Sequence, residues 1–306
     1  MNIEDVKTVL IVGSGTMGQQ IGFQCAASGL DVIFYDISAD MLEKAMDRMG
    51  KLAKTYISSG RLTENSAEEA LLRIRTETDP EKAGISVDII SESVPEDPDL
   101  KGSTFAAFNA ICPARTIFTT NTSSLLPSTF VRATGRPDRF AALHFHDTRF
   151  TRIVDIMPHP GTSPETIALI EAFAEKIGQV AIVLQKENNG YVFNAMLMTL
   201  LESAQTLAAK GVASVADIDR SWMGVMHTVV GPFGIMDSIG LDTVYKITDY
   251  WAKKTGNPQQ TANALFLKKY VDQGYLGVKS GRGFYAYPAP AFQQPGFIEG
   301  IPTHTT

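Results

Sequence analysis

The chain has 306 residues, of which 44% are hydrophobic and 20% are charged. This length is sufficient for two domains that each bury a hydrophobic core. A formal net charge of −6 argues against a nucleic-acid partner, because binding to a phosphate backbone needs a basic surface. The N-terminus lacks the basic and apolar regions of a signal peptide, and no apolar run is long enough to cross a bilayer. We therefore expect a globular protein with neither nucleic-acid nor membrane partners.

The chain contains two cysteines, Cys25 and Cys112, and both lie in apolar surroundings. Such surroundings favour reduced thiols in the core over a disulfide or a metal-binding pair. A catalytic cysteine is the weaker alternative, because no histidine or second cysteine lies at a useful spacing. We therefore expect a cytoplasmic protein, and the sequence predicts no metal site.

Strands and helices alternate over the first 184 residues. Residues 8–12 form a short run rich in β-branched side chains, which is typical of a buried parallel strand. Helical periodicity follows at 17–28, and a second strand at 31–36 precedes an amphipathic helix at 39–58. Further strands are predicted at 86–92, 116–120, 140–144, 153–157 and 180–184. This alternation predicts an α/β fold with a Rossmann-type, mostly parallel sheet.

The alternation stops after residue 184, and the remaining sequence is mainly helical. Residues 185–190 are polar and are typical of a linker, whereas 192–210 and 215–226 carry helical patterns. Prolines near the C-terminus prevent a helix there. We predict three segments, which are a cofactor-binding domain at 1–187, an all-α domain at 188–287, and an extended or disordered tail at 288–306.

A glycine motif lies between the first predicted strand and the first predicted helix. Gly13, Gly15 and Gly18 fit the pattern G-x-G-x-x-G. The first glycine permits a tight turn, the second lets the backbone approach a pyrophosphate, and the third lets the helix pack closely on the strand. An ordinary tight turn is the alternative, but the position within an alternating pattern favours dinucleotide binding.

Asp36 closes the second predicted strand, eighteen residues after Gly18. A carboxylate at this position can bind the hydroxyls of an adenosine ribose. It would repel the 2′-phosphate of NADP, and residues 37–40 contain no arginine to receive that phosphate. The sequence therefore predicts NAD as the cofactor.

Groups suited to proton transfer follow the later strands. Ser123 comes after one strand, His144 ends the next, and Asp155 ends the one after that. Open α/β sheets bind ligands at the carboxyl ends of their strands. A solitary histidine there is more often structural, but an acid beside it would fix its tautomer and stabilise its charged form. The set favours proton transfer to or from an alcohol.

Several motifs resemble the (S)-3-hydroxyacyl-CoA dehydrogenase family, particularly its short-chain 3-hydroxybutyryl-CoA members. Besides the glycine motif, the resemblance covers residues 121–125, 143–145, 231–233, 240–242 and 277–285, and it extends to about Tyr287. It implies reversible, NAD-dependent oxidation of a short 3-hydroxyacyl-CoA to the 3-oxoacyl thioester. It also implies an α-helical domain that forms a homodimer.

The resemblance further implies roles for individual residues. His144 would be the general acid/base, and Asp155 would take the place of the family's glutamate partner. Ser123 and Asn194 would hold the substrate oxygen. The implied cofactor contacts, besides the three glycines, are Thr16, Met17, Asp36, Glu96, Lys101, Asn121, Asp147 and Lys279. For the pair at 96 and 101, a solvated charged turn is the alternative.

The sequence departs from the family pattern after the catalytic histidine. The family has Phe, Asn and Pro after His-Phe, whereas this chain has His146, Asp147 and Thr148 in a segment one residue shorter. Asp147 would place a negative charge near the nicotinamide. A shorter loop can bring a shorter partner acid within reach, so we expect the catalytic pair to survive. Tyr191 stands where the family has a phenylalanine before the helical domain.

Alternatives to an acyl-CoA substrate follow from the same departures. Lys51 and Lys54 on the second predicted helix are candidates to bind CoA phosphates, but a solvated helix face explains them equally well. Arg149 is a candidate to bind the carboxylate of a free β-hydroxy acid. An inactive NAD-binding relative is the third hypothesis, because a fold alone does not establish a function.

Overall fold

The computed structural model describes residues 1–300, and these residues form two compact units. The first unit is Met1–Val192, and the second begins at Phe193, a few residues after the predicted boundary at 187. Within the described residues, no helix has both the length and the apolar character needed to cross a membrane. Each unit has its own hydrophobic core.

The strands of the first unit form one sheet. They are β1 (Thr8–Val12), β2 (Asp31–Tyr35), β3 (Ile74–Glu77), β4 (Ile89–Glu92), β5 (Ile117–Thr120), β6 (Phe140–Phe145), β7 (Ile153–Pro158) and β8 (Val180–Val183). The order in the sheet is β3-β2-β1-β4-β5-β6-β7-β8, and only the pair β6–β7 is antiparallel. The predicted mostly parallel α/β fold is confirmed. The sequence pattern does not predict β3, because this edge strand is largely polar and half exposed.

Helices connect the strands of the first unit. They are α1 (Thr16–Ala27), α2 (Ala39–Ser58), α3 (Glu64–Leu72), α4 (Pro80–Gly84), α5 (Pro98–Ile111) and α6 (Pro164–Lys176). Their starts follow local signals. The side chain of Asp97 accepts a hydrogen bond from the N–H of Leu100 at 2.8 Å, and Pro98 occupies the first turn, where no N–H is needed. Ser163 and Pro164 begin α6 in the same way.

Hydrophobic side chains cover both faces of the sheet. One cluster contains Ile11 with residues of α1, α2 and α6, and the other contains Leu10 with Phe105 and Phe118. Leu10 and Ile11 are consecutive residues of β1, so their side chains point to opposite faces. Burial of both faces explains why these strands are continuous apolar runs rather than alternating ones.

Strand β7 runs antiparallel to β6, and its direction decides where Asp155 lies. The register sets His144 directly opposite Asp155. Asp155 is the third residue of β7 rather than its end, which differs from the prediction. Because β7 runs in the opposite direction, its beginning lies at the sheet edge where β1, β5 and β6 end. The carboxylate therefore still reaches the predicted edge.

The second unit is mainly helical. Its helices are α7 (Phe193–Ala209), α8 (Val215–Met226), α9 (Pro232–Ile239), α10 (Leu241–Thr255) and α11 (Pro258–Val271). Buried carboxylates hold its loops in place. Asp219 accepts hydrogen bonds from the N–H groups of Phe233 and Gly234 at 2.8 and 3.0 Å and from the hydroxyl of Tyr285 at 2.9 Å. Such contacts satisfy the backbone donors at the start of α9.

Residues 288–300 are part of the second unit. Phe292 and Phe297 are both buried and belong to its hydrophobic cluster. This packing differs from the extended or disordered tail that the prolines predict, because two aromatic side chains anchor the segment. Residues 301–306 of the predicted tail lie outside the described residues.

Candidate active site

The glycine motif forms the turn between β1 and α1. Gly13 has φ +101°, and an added Cβ there would lie 2.7 Å from the carbonyl oxygen of Ser93. An added Cβ at Gly15 would meet no atom within 4 Å, so the backbone there faces open space. The first helical turn, which begins with Thr16 and Met17, contains no acidic residue. Its N–H groups and the open space beside them fit the pyrophosphate of a dinucleotide.

Asp36 lies directly after β2 and contacts the same turn. Its Oδ2 accepts hydrogen bonds from the N–H and the hydroxyl of Ser14 at 3.0 and 2.7 Å, and Oδ1 accepts one from the N–H of Ser38 at 3.1 Å. A carboxylate has further lone pairs for the hydroxyls of a ribose. The ribose contact stays a prediction, and it is compatible with this geometry.

His144 and Asp155 form a pair across β6 and β7. Nδ1 of His144 lies 3.3 Å from Oδ2 of Asp155, and both side chains are almost completely buried. Burial opposes ionisation of Asp155, but hydrogen bonds and charges of the two nearby histidines outweigh it and lower the pKa of this carboxyl to about 2. The ionised carboxylate can accept a hydrogen bond from the N–H at Nδ1, which leaves on Nε2 the lone pair that a general base needs.

A second histidine shares this carboxylate. Nε2 of His146 lies 3.1 Å from Oδ2 of Asp155, and the ring centroids of His144 and His146 are 4.7 Å apart. In the sequence, His146 stands out only as a departure in the loop. The spacing of two residues between the histidines was a visible signal, but their contact with one carboxylate depends on the pairing of β6 with β7.

Tyr191 stacks on His144, with ring centroids 4.6 Å apart and an interplanar angle of 29°. Its hydroxyl donates a hydrogen bond to the carbonyl oxygen of Thr122 at 2.6 Å. The side chain is buried, and its φ of +55° is uncommon for a residue other than glycine. Tyr191 therefore links His144 to the loop that carries Ser123. The sequence does not predict this contact, because it joins segments far apart in the chain.

Glu96 holds the loop after β5. Its Oε1 accepts hydrogen bonds from the hydroxyl of Thr122, from the N–H of Ser123 at 3.1 Å, and from the N–H and hydroxyl of Ser124 at 3.2 and 2.9 Å. Burial raises the pKa of Glu96, but these hydrogen bonds and the charge of Lys101 outweigh it, so the pKa lies below its ordinary value. Ser123 is exposed. Glu96 thus fixes the backbone that presents the Ser123 hydroxyl.

Lys101 lies beneath this loop with 1% of its surface exposed. Its Nζ is 2.7 Å from Oε1 of Glu92 and 3.3 Å from Oε2 of Glu96. The solvated charged turn considered from the sequence is therefore wrong for Lys101, which forms a buried ion pair. Asn121 is also fixed, since its Oδ1 accepts a hydrogen bond from the N–H of Phe145 at 2.8 Å. The predicted cofactor contacts of these residues stay predictions.

The altered loop after β6 is anchored at Thr148. The Thr148 N–H and hydroxyl lie 2.8 and 3.1 Å from Oε1 of Gln20, and its hydroxyl is 2.9 Å from that of Tyr56. Asp147 and Arg149 form an ion pair on the outer side, with a shortest distance of 2.5 Å. The hydrogen bonds from Arg149 lower the pKa of Asp147. Arg149 is thus engaged by a carboxylate of its own chain.

The remaining predicted residues belong to other elements of the chain. Lys51 and Lys54 are exposed on α2, opposite its buried face. Asn194 is the second residue of α7, and Lys279 forms an ion pair with Asp242 at 2.6 Å, both in the second unit. The first unit by itself therefore brings together the glycine turn, Ser123, His144 and Asp155 at one edge of the sheet.

A glycine turn that fits a dinucleotide, together with a buried imidazole–carboxylate pair, defines a nucleotide-dependent dehydrogenase. Family comparison gives the same class. Residues 8–188 match the model of the 3-hydroxyacyl-CoA dehydrogenase NAD binding domain, and residues 190–287 match the model of the C-terminal domain. The chain belongs to the 3-hydroxyacyl-CoA dehydrogenase family, and its cofactor is NAD.

Individual relatives agree with this assignment. The probable 3-hydroxybutyryl-CoA dehydrogenase of Bacillus subtilis is 32% identical over 92% of this chain and 98% of the relative. The solved (S)-3-hydroxybutyryl-CoA dehydrogenase of Ralstonia eutropha is 31% identical, with a TM-score of 0.84, and the match covers 93% of this chain and all of that one. A diketoreductase, solved in a study of dicarbonyl compounds, is 39% identical with a TM-score of 0.86 and coverage of 92% and 99%.

Proposed function

We propose that the protein catalyses reversible oxidation of a short-chain (S)-3-hydroxyacyl-CoA to the 3-oxoacyl-CoA. The observation that carries this proposal is the buried pair of His144 and Asp155 at the sheet edge where the glycine turn lies. The relatives named for 3-hydroxybutyryl-CoA support the choice of substrate. Bound NAD would supply the acceptor for the hydride of the carbon that carries the hydroxyl group.

The protein side chains move the proton. Nε2 of His144 removes the hydroxyl proton of the substrate, and the ionised Asp155 stabilises the imidazolium that results. Ser123 donates a hydrogen bond to the reacting oxygen, and Asn194 is proposed to do the same. The buried position of His144 limits access of water, which strengthens its interaction with the carboxylate.

The experiment measures NADH formation from (S)-3-hydroxybutyryl-CoA. His144→Ala should lower turnover about 10²–10⁴-fold, because it removes the general base. His227→Asn is the matched control, since His227 is an exposed histidine of the second unit. It should keep the activity of the unmodified protein. Near-normal turnover of His144→Ala would contradict the proposal.

A dicarbonyl compound or a free β-hydroxy acid is the second candidate substrate. The diketoreductase at 39% identity favours it, as does the altered loop around Asp147 and Arg149. However, Arg149 is paired with Asp147, which weakens its case as an anchor for a substrate carboxylate. With NADH as the reductant, comparison of kcat/KM for 3-oxobutyryl-CoA, free 3-oxobutyrate and a β-diketone separates the candidates. A higher kcat/KM for either free compound would favour the second.

We also propose a cytoplasmic homodimer formed through the second unit. Large apolar side chains are exposed there, including Met196, Val225, Val229 and Leu265. Their burial against a second copy would remove apolar surface from water. The unpaired, buried thiols of the chain suit a reducing compartment. Light scattering tests the oligomeric state, and a monomer at micromolar concentration would contradict it.

A further inference from the structure

We propose that His144, His146 and Asp155 form a binding site for Zn²⁺ and that the bound metal inhibits the enzyme. One ligand atom from each of these residues lies within 4.8 Å of the other two. The sequence predicts no metal site here, since nothing in the spacing of residues 146 and 155 shows that they meet. Two imidazoles and a carboxylate are a donor set that Zn²⁺ prefers.

The measured distances fit a metal between the three side chains. Oδ2 of Asp155 lies 3.3 Å from Nδ1 of His144 and 3.1 Å from Nε2 of His146. In a tetrahedral zinc site with bonds of about 2.0–2.1 Å, neighbouring ligand atoms are roughly 3.3 Å apart. Two of the three distances between ligand atoms, or edges, are therefore already close to those of a tetrahedral zinc site. The third edge joins the two imidazole nitrogens, which lie within 4.8 Å of each other.

The fold holds the ligands in this arrangement before any metal arrives. His144 and Asp155 are paired across β6 and β7, and both are almost completely buried. His146 lies two residues beyond His144, just after the end of β6, and 17% of its side chain is exposed. A metal ion therefore has a route past His146, and water can supply the fourth ligand, as in open zinc sites.

Inhibition follows from the chemistry of the ring. Zn²⁺ bound to Nδ1 of His144 excludes the single proton of the neutral ring from that nitrogen, and the proton moves to Nε2. Nε2 then has no lone pair to accept the proton of the alcohol. The metal also takes the carboxylate that stabilises the imidazolium. This inhibition rests on the proposed role of His144, whereas the binding of metal does not.

The test uses full-length, chelator-treated protein without a polyhistidine tag. Co²⁺, a spectroscopic substitute for Zn²⁺, is titrated while its visible absorption is recorded. The protein should bind one equivalent with the intense absorption of a four-coordinate site. His146→Asn and, independently, Asp155→Asn should weaken this binding at least about tenfold, because each removes a ligand. His227→Asn is the control for surface histidines and should bind as the unmodified protein does.

An activity assay with Zn²⁺ completes the test. The activity of each variant is measured with and without Zn²⁺. Removal of the metal by EDTA should restore the activity. His146→Asn should need at least about tenfold more Zn²⁺ for half-inhibition. The proposal is overturned if the unmodified protein shows no saturable Co²⁺ absorption, or if His146→Asn binds Co²⁺ as tightly. If the protein bound Co²⁺ but Zn²⁺ did not inhibit it, the metal site would be supported, and the role of His144 in the proposed reaction would be contradicted.

Discussion

The ring of Tyr191 lies stacked on the imidazole of His144, at a centroid distance of 4.6 Å. The hydroxyl of the same tyrosine donates a hydrogen bond to the carbonyl oxygen of Thr122, the residue before Ser123. One buried side chain thus sets the position of the proposed base relative to the loop that presents the proposed hydroxyl. The stacking needs an aromatic ring, and the hydrogen bond needs a hydroxyl group on the same side chain.

Substitution of Tyr191 should separate these two contacts. Tyr191→Phe keeps the stacking and removes one hydrogen bond, which costs about 0.5–1.5 kcal/mol and should lower kcat/KM by no more than roughly tenfold. Tyr191→Ala also removes the ring and should lower kcat/KM further and destabilise the protein by about 3–5 kcal/mol. Kinetics and urea unfolding measure both effects. Tyr250→Phe, at an exposed tyrosine of α10, is the control. Equal activity of the two Tyr191 variants would contradict a role for stacking.

The loop after β6 should depend on Thr148. Its buried hydroxyl lies within hydrogen-bond distance of Gln20 and Tyr56, so Thr148→Val leaves two buried polar groups without this partner. We expect a loss of about 1–3 kcal/mol in the free energy of unfolding. Thr199→Val on the exposed face of α7 should change it by less than about 0.5 kcal/mol. Urea unfolding of the two variants gives the comparison, and equal values would exclude the Thr148 hydroxyl as an anchor.

Glu96 should stabilise the protein in a pH-dependent manner. Its pKa is lower in the folded chain than the ordinary 4.5, because its hydrogen bonds and the charge of Lys101 outweigh the effect of burial. The folded state therefore binds the proton less tightly than the unfolded state does. The contribution is present above pH 4.5 and is lost as the pH falls through the lowered pKa.

The measurement is the difference in thermal midpoint between the unmodified protein and Glu96→Gln. This difference should be largest near neutral pH and should shrink as the pH is lowered below 4.5. Other carboxylates titrate in both proteins and cancel in the comparison. A difference that does not change with pH would show that the carboxylate charge makes no contribution.

Asp36 should set the preference for NAD over NADP. Asp36→Asn keeps an acceptor for the N–H of Ser14 and removes the charge that would repel a 2′-phosphate. The ratio of kcat/KM for NAD to that for NADP should fall about tenfold, equivalent to about 1.4 kcal/mol. Asp40→Asn, at an exposed carboxylate on α2, should leave the ratio unchanged. If the ratio were unaltered in Asp36→Asn, a residue other than Asp36 would make the ribose contact.

Both cysteines should be unreactive while the protein is folded. Burial raises the pKa of Cys25 and of Cys112 to about 12, so the reactive thiolate is scarce at neutral pH. A colorimetric thiol reagent should titrate almost no thiol in the native protein and both thiols in guanidinium chloride. Rapid reaction of either thiol before unfolding would contradict this expectation.

Local signals in the sequence were sufficient for much of the fold. Residues 39–58 and 215–226 are helices at those bounds, because periodicity and a capping serine mark their starts. The glycine motif likewise needs only its neighbours, since Gly13 must adopt a positive φ in a turn between a strand and a helix. The edge strand at 74–77 was not predicted, because its mostly polar side chains form neither an apolar run nor an alternating pattern.

The sequence by itself determined which chemical groups lie at the sheet edge where β5 and β6 end, since Ser123, His144 and Asp155 follow from motifs and spacing. Only the tertiary structure decided how these groups meet. Because β7 runs antiparallel to β6, Asp155 lies opposite His144. The same carboxylate oxygen also contacts His146, and the ring of Tyr191 stacks on the imidazole of His144. Contacts between strands and distant loops arise from packing of the whole sheet, and no local sequence pattern encodes them.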